Sequence, residues 1–176
     1  MLINFHSGAC AGKSTIAAWL FSELKLRHYN VELCQEYIKG WAWLKIVPQS
    51  WDSFYVFAKQ LRAIDICARH KVHVITDSPL LMQVAYMELN NCPFVDDVIN
   101  LCQKYEKENP SINFFLNRSV PYAEQGRYEN YLEAVKMDNM IKALLDREKI
   151  SYKTVNPIDD KEFILENILN NEAIGI

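Results

Sequence analysis

"HSGACAGKST", residues 6–15, decides how this chain is read. It follows a short apolar run, Leu2-Ile3-Asn4-Phe5, and precedes the helix-like run Ile16-Ala17-Ala18-Trp19-Leu20. The spacing Gly8-x-x-x-x-Gly12-Lys13-Ser14 between a strand and a helix is that of a Walker A phosphate loop. Glycines let backbone N–H groups close around phosphate oxygens, and the helix N-terminus adds positive potential. Gly8, Ala9, Cys10, Ala11, Gly12, Lys13, Ser14 and Thr15 are therefore the expected nucleotide contacts. Lys13 is expected at the β- and γ-phosphates of ATP and the Ser14 hydroxyl in the Mg²⁺ shell. A turn that is merely glycine-rich does not account for both flanks and the full spacing.

Working outward, apolar runs and helical segments alternate along the chain. Strands are expected at 2–6, 31–34, 72–76, 112–116 and 152–155. Helices are expected at 13–28, 36–46, 51–70, 80–88, 94–108, 131–148 and 161–169. The helix from Trp51 to His70 should bury Phe54, Phe57, Ala58, Leu61, Ile64 and Ala68. Strands alternating with helices imply an α/β fold with a parallel sheet covered on both faces. The stretch 117–130 lacks periodicity, and long irregular connections in compact domains are often lids.

The 176 residues suit one domain, 1–176. Half are hydrophobic, 23% are charged and the net charge is −3, so no broad cationic surface marks general nucleic-acid binding. The five cysteines are scattered without CxxC, which argues for reduced thiols rather than a disulfide scaffold or a zinc site. Cys10 reads as a small space-filling residue of the loop. No basic leader and no run of ~20 apolar residues is present, so a cytoplasmic protein without membrane contact is expected.

In such sheets ligands bind outside the carboxyl ends of the strands. Glu36 and Tyr37 follow the second strand, Asp77 the third, and Arg118 and Arg127 the fourth. Asp77 holds the Walker B position and is expected to hold Mg²⁺, its plain alternative being an N-cap for the helix near residue 80. Glu36 is placed to take a proton from an acceptor hydroxyl, against the plainer role of a first-turn acid favoured by the helix dipole. Arg118 and Arg127, with Gly126 as a hinge, would close over the transferred phosphate, unless both are simply solvated. Trp41, Trp43, Trp51, Tyr55 and Phe57 cluster toward the acceptor side with Gln60 and Arg62, where an aromatic could stack on a base and Gln60 bond its edge. Most aromatics at helical spacing are core.

"GACAGKST", "CQEY", "FYVFAKQL", "VITDSPLL" and "INFFLNRSVPYAEQGR" together resemble phage-type P-loop kinases, over about residues 2 to 146. These belong to the broad group of nucleoside, nucleoside-monophosphate and nicotinamide-riboside-kinase-like domains. The resemblance implies a P-loop NTPase three-layer sandwich of strand order 2-3-1-4-5, with a lid at about 117–130. It also implies transfer of the ATP γ-phosphate to a nucleoside, a nucleotide or a related hydroxyl. Lys13 and Ser14 would match its phosphate and Mg²⁺ residues, Arg118 and Arg127 its lid arginines, and Glu36 the acid at the sugar hydroxyl. Nucleoside kinases usually carry an arginine beside the third-strand acid, where this chain has Ser78-Pro79. One similar branch phosphorylates 5-hydroxymethyluracil within phage DNA, so DNA stands as an alternative substrate. A monomer or homodimer is expected, in the host cytoplasm if the chain is phage-encoded. A guanine-reading Asn-Lys-x-Asp is replaced by Asn117-Arg118-Ser119-Val120, which disfavours a GTPase switch. An oligomeric ATPase normally needs a longer module with an added helical subdomain, so at 176 residues none is expected.

Overall fold

The computed structural model describes residues 1–49 and 51–171. Its strands are β1 (Leu2–His6), β2 (Val31–Cys34), β3 (His73–Thr76), β4 (Ser111–Leu116) and β5 (Lys153–Val155). Its helices are α1 (Lys13–Leu26), α2 (Lys39–Trp43), α3 (Asp52–Ala68), α4 (Leu80–Leu89), α5 (Val95–Glu108), α6 (Tyr131–Arg147) and α7 (Lys161–Leu169). The strands form one parallel sheet in the order β2-β3-β1-β4-β5, the order that the resemblance implies. This is the α/β fold of a P-loop NTPase.

Alternation along the strands makes two cores. Ile3, Phe5, Ile75, Phe114 and Leu116 pack with Ile16, Leu20 and Leu24 of α1 and Ile164 and Ile168 of α7. Leu2, Val74 and Phe115 face the other way, onto residues of α3, α4, α5 and α6. Because side chains of a strand point to opposite faces with period two, β1 serves both cores at once. Its even positions after Leu2 are polar. Asn4 Nδ2 donates to Asn113 Oδ1 at 2.9 Å, and His6 Nε2 lies 3.0 Å from the same oxygen.

Two elements depart from the periodicity. The helix expected over 36–46 shrinks to α2, and the backbone ahead of it is held by side chains from elsewhere. Glu36 N donates to Asp77 Oδ1 at 2.9 Å and Tyr37 N to Gln60 Oε1 at 3.1 Å. In α3 the buried face is Ser53, Val56, Phe57, Gln60 and Ile64, while Ala58 is exposed. Gln60 is polar and falls outside the apolar stripe, yet its two bonds to Tyr37 N and Thr76 Oγ1 satisfy it in the interior.

Burial lowers the His6 imidazole to about 4 from its ordinary 6.5, only partly offset by Asn113, with Lys13 lowering it further. The unfolded chain therefore binds more protons than the folded one between those values. This contribution to stability is present above pH 6.5 and is lost as pH falls through 4, amounting to up to roughly 3 kcal/mol. Urea titrations at pH 7 and pH 4.5 should show this loss, and His6→Gln should flatten that part of the acid limb.

Candidate functional site

The loop between β1 and α1 is built to receive an anion. Gly12 caps α1 in a left-handed conformation, without a side-chain cap and without an acid in the first turn. The positive helix end thus stays uncompensated. Among the described residues, none accepts a hydrogen bond from the amides of Ala9 to Gly12. The Lys13 ammonium is held at 2.7 Å by the carbonyls of both Ser7 and Gly8, curled back on its own loop. A β-carbon at Gly8 would stand 2.5 Å from Ala134 O of α6, so only glycine lets the loop lie this close to that helix.

In front of the loop lies a cavity of about 420 Å³. Its floor is Lys13, Ser14, Thr15 and Asp77. One wall runs from Glu36 through Ile38, Ala42, Val47 and Pro48 to Val56, and another is Gln83, Tyr86 and Leu89 of α4. Val120 and Gly126 to Glu129 form the roof, and Pro157, Ile158 and Lys161 close the far side. The roof touches the wall. Gly126 lies so near the Trp43 ring that a β-carbon would be 2.7 Å from it, and Tyr128 Oη donates to Ile46 O at 2.7 Å.

The electrostatics centre on Lys13. Burial lowers its pKa, and Glu36, Asp77, Asp138 and Glu129, in that order, support its charge. Glu36 is raised above its ordinary value by burial, with Lys13 opposing the rise. Asp77 behaves alike, helped further by the Glu36 amide. Asp77 does not cap α4, whose N-cap is Pro79 without a side-chain bond. Glu36 is not a first-turn acid either, since α2 begins at Lys39. A hydroxyl at Ser14 and a carboxylate at Asp77, both on the cavity floor, are hard oxygen donors of the kind Mg²⁺ takes while keeping waters.

Of the residues singled out from sequence, the fold brings Ala9, Cys10, Gly12, Lys13, Ser14, Thr15, Glu36, Asp77 and Arg127 to this cavity. Gly8 and Ala11 form the back of the loop. Cys10 does more than fill space: its sulfur accepts from Ala123 N at 3.3 Å, joining the loop to the lid. Arg127 is half-buried, with Nε donating to Ala123 O at 2.9 Å. Arg118, expected over the phosphate, is instead drawn behind the loop: Nε and Nη2 donate to Asp138 Oδ2, and Nη1 to Ala9 O at 2.6 Å.

The aromatic side differs from expectation. Phe57 is core and Gln60 is fully buried as a brace between β2 and β3. Trp41 stacks on Tyr55, Tyr37 Oη donates to Tyr55 Oη, and Arg62 is exposed, and none of these lines the cavity. Residues that sequence reasoning missed take that space. Tyr86 Oη donates to Glu129 Oε1 at 2.9 Å across the cavity, beside Gln83, whose Nε2 donates to Ser78 Oγ. Gln83 and Tyr86, three apart in the otherwise apolar "LLMQVAYMEL", were the available signal.

A family model described as an AAA domain matches residues 2–162. None of the curated proteins compared matches the chain. The family is one of P-loop nucleotide enzymes, and it leaves hydrolysis and transfer both open, so chain length does not decide against an ATPase. Among the described residues no helix is long and apolar enough to cross a membrane.

Lys13→Ala should abolish nucleotide-dependent turnover while the melting temperature changes little, because the ammonium serves a ligand and its own loop rather than the core. Turnover and thermal melting measured together check this; retained turnover would remove the phosphate-loop assignment.

Proposed function

The chain belongs to the AAA-domain family of P-loop nucleotide enzymes, and from that premise we propose that it is an ATP-dependent kinase. Its acceptor is a hydroxyl of a (deoxy)nucleoside or nucleotide. The observation that carries this reading is Glu36, a carboxyl facing the same cavity as Lys13 and fixed there through its own amide by Asp77. The cavity in front of the loop is also walled by Ile38, Ala42, Val47, Val56 and Leu89, with Gln83, Tyr86 and Glu129 as the polar groups that would orient a small molecule.

Glu36, Asp77 and Glu129 line the cavity together with Lys13, Lys39, Arg127 and Lys161, so it is the placement of Glu36 rather than the overall charge that favours a hydroxyl acceptor. A hydroxyl must lose a proton as it attacks the γ-phosphorus, and Glu36 is placed to take it. The new P–O bond forms while the bond to the β-phosphate oxygen breaks, and the negative charge leaves on ADP. Lys13 meets the β- and γ-oxygens and Arg127, on the roof, the charge that spreads over the transferred group. Mg²⁺, held by Ser14 and Asp77, would neutralise phosphate charge when bound.

A second reading, a kinase for a modified base within DNA, draws support from exposed Trp43 and Trp51 with exposed Lys39 and Lys45 around α2. Aromatics next to cations suit an unstacked base and a phosphate backbone. It requires binding that weakens steeply with salt. Incubation with γ-labelled ATP and, in turn, nucleosides, nucleotides, hydroxymethylated DNA and water alone separates the readings. Label in nucleosides or nucleotides supports the first, label in DNA the second, and free phosphate alone makes the protein an ATPase.

Glu36→Gln should keep the shape and lower kcat by roughly 10²–10⁴, with ATP affinity nearly unchanged. In the wild type the acid limb of kcat/KM should lie above the ordinary glutamate range, since burial raises this carboxyl, and the variant should lack that limb. Steady-state kinetics from pH 4.5 to 9 check both.

Arg127→Ala should lower kcat far more than it weakens ATP binding, because a roof cation meets the transferred charge only in the closed site. Wild-type kcat in this variant would make the 117–130 stretch a plain connection.

A further inference from the structure

We infer that Asp138 and Arg118 act together as a positioning bracket that shapes the phosphate loop from behind. Asp138, on α6, accepts from Gly8 N at 2.6 Å through Oδ1. Its other oxygen, Oδ2, accepts from Arg118 Nε at 3.0 Å and Nη2 at 2.8 Å. Arg118 Nη1 then donates to Ala9 O at 2.6 Å. One amide and one carbonyl of adjacent loop residues are thus gripped by a single ion pair.

Three features separate this pair from an ordinary surface ion pair. Its side chains are only 10% and 14% exposed, so solvent screens their attraction poorly. The guanidinium is flanked by the rings of Tyr122 and Tyr131, at 5.8 and 5.9 Å. And α6 itself abuts the loop, as the space at Gly8 against Ala134 O shows. Ala134 and Asp138 are four apart on one helix face, the first small enough to admit the loop and the second charged to hold it.

The bracket works on the side away from the cavity, which neither residue lines. It satisfies the Gly8 amide and leaves the amides of the following residues to face a phosphate. A loop already in its binding shape loses less freedom when the anion arrives, so its affinity is higher. Arg118 also neutralises a carboxylate that would otherwise stand close to bound phosphate. With Nε, Nη1 and Nη2 all engaged, Arg118 does not serve as a cation on the transferred group. The inference needs only nucleotide binding and no acceptor, so it stands apart from the kinase reading.

The test is calorimetric titration of the full chain with AMP-PNP and Mg²⁺, for wild type, Asp138→Asn, Arg118→Ala and the double variant. Each single variant should weaken binding about 10- to 100-fold, the range for losing a charged hydrogen bond. The double variant should be no weaker than the worse single, since either change dissolves the same bracket. Exchange of the Gly8 amide in nucleotide-free protein should accelerate in Asp138→Asn. If Arg118→Ala does not fold, Arg118→Lys, which keeps the charge without the three-pronged grip, takes its place with the same expectation. Wild-type affinity in either single variant, or additive losses in the double, would overturn the bracket. So would a variant at position 118 that loses turnover with affinity unchanged, which would mark a transition-state cation.

Discussion

The site depends on one half-buried cation, the Lys13 ammonium. Lys13 is drawn out of water by the cavity around it, which disfavours its charge, and Glu36, Asp77, Asp138 and Glu129 restore that charge from several sides. The dependence runs both ways, since Lys13 opposes the rise that burial imposes on Glu36 and Asp77. Phosphate oxygens that take over this ammonium leave Glu36 with less counter-charge. Its carboxylate then holds a proton more readily. Under the kinase reading proposed above, nucleotide binding would strengthen the base that an attacking hydroxyl needs.

Such coupling requires groups from distant parts of the chain to converge, and the sheet brings them there. With β1 central, the exits of β2, β3, β1 and β4 share one rim. Side chains then lock the exits to one another. Asp77, leaving β3, holds the Glu36 amide that leaves β2, and Gln60 of α3 holds the next amide while bonding Thr76 of β3. Glu36 owes its position to its backbone being held rather than to a helix.

What could be read from sequence was what is local in sequence. The phosphate loop is a contiguous stretch whose spacing carries its own chemistry, and the long helices and apolar strands repeat over enough residues to be seen. Glu36, Asp77 and Arg127 were legible because strand ends in a parallel sheet face one rim. Gln60 was not, because a glutamine inside a helix looks solvated until its partners on β2 and β3 are known. Tyr86 and Glu129 become a pair only when α4 and the lid meet. Asp138 looks like an ordinary polar position of α6 until Gly8 and Arg118 are brought to it from more than one hundred and about twenty residues away.

The lid completes the logic of the cavity. Residues 117–130 have no regular structure; Arg118 and Ser119 are fixed to Asp138, Ala9 and Asn156, and beyond them the stretch is tied to the loop through Cys10 and Ala123, to α4 through Glu129 and Tyr86, and to the α2 segment through Tyr128 and Ile46. The roof is thus joined to the phosphate loop, to α4 and to the α2 segment, and it covers the cavity from one side. The same joints obstruct entry. Each is one or two hydrogen bonds, weak enough to part separately, and the contact of Gly126 with Trp43 involves an irregular segment on one side and a five-residue helix on the other. Opening therefore calls for movement of α2 and of the lid from Val120 onward only, while β1, α1 and the ion pair of Arg118 and Asp138 behind the phosphate loop stay in place. The part that must be accurate is built on the sheet, and the part that must move is built from the two segments with least regular structure.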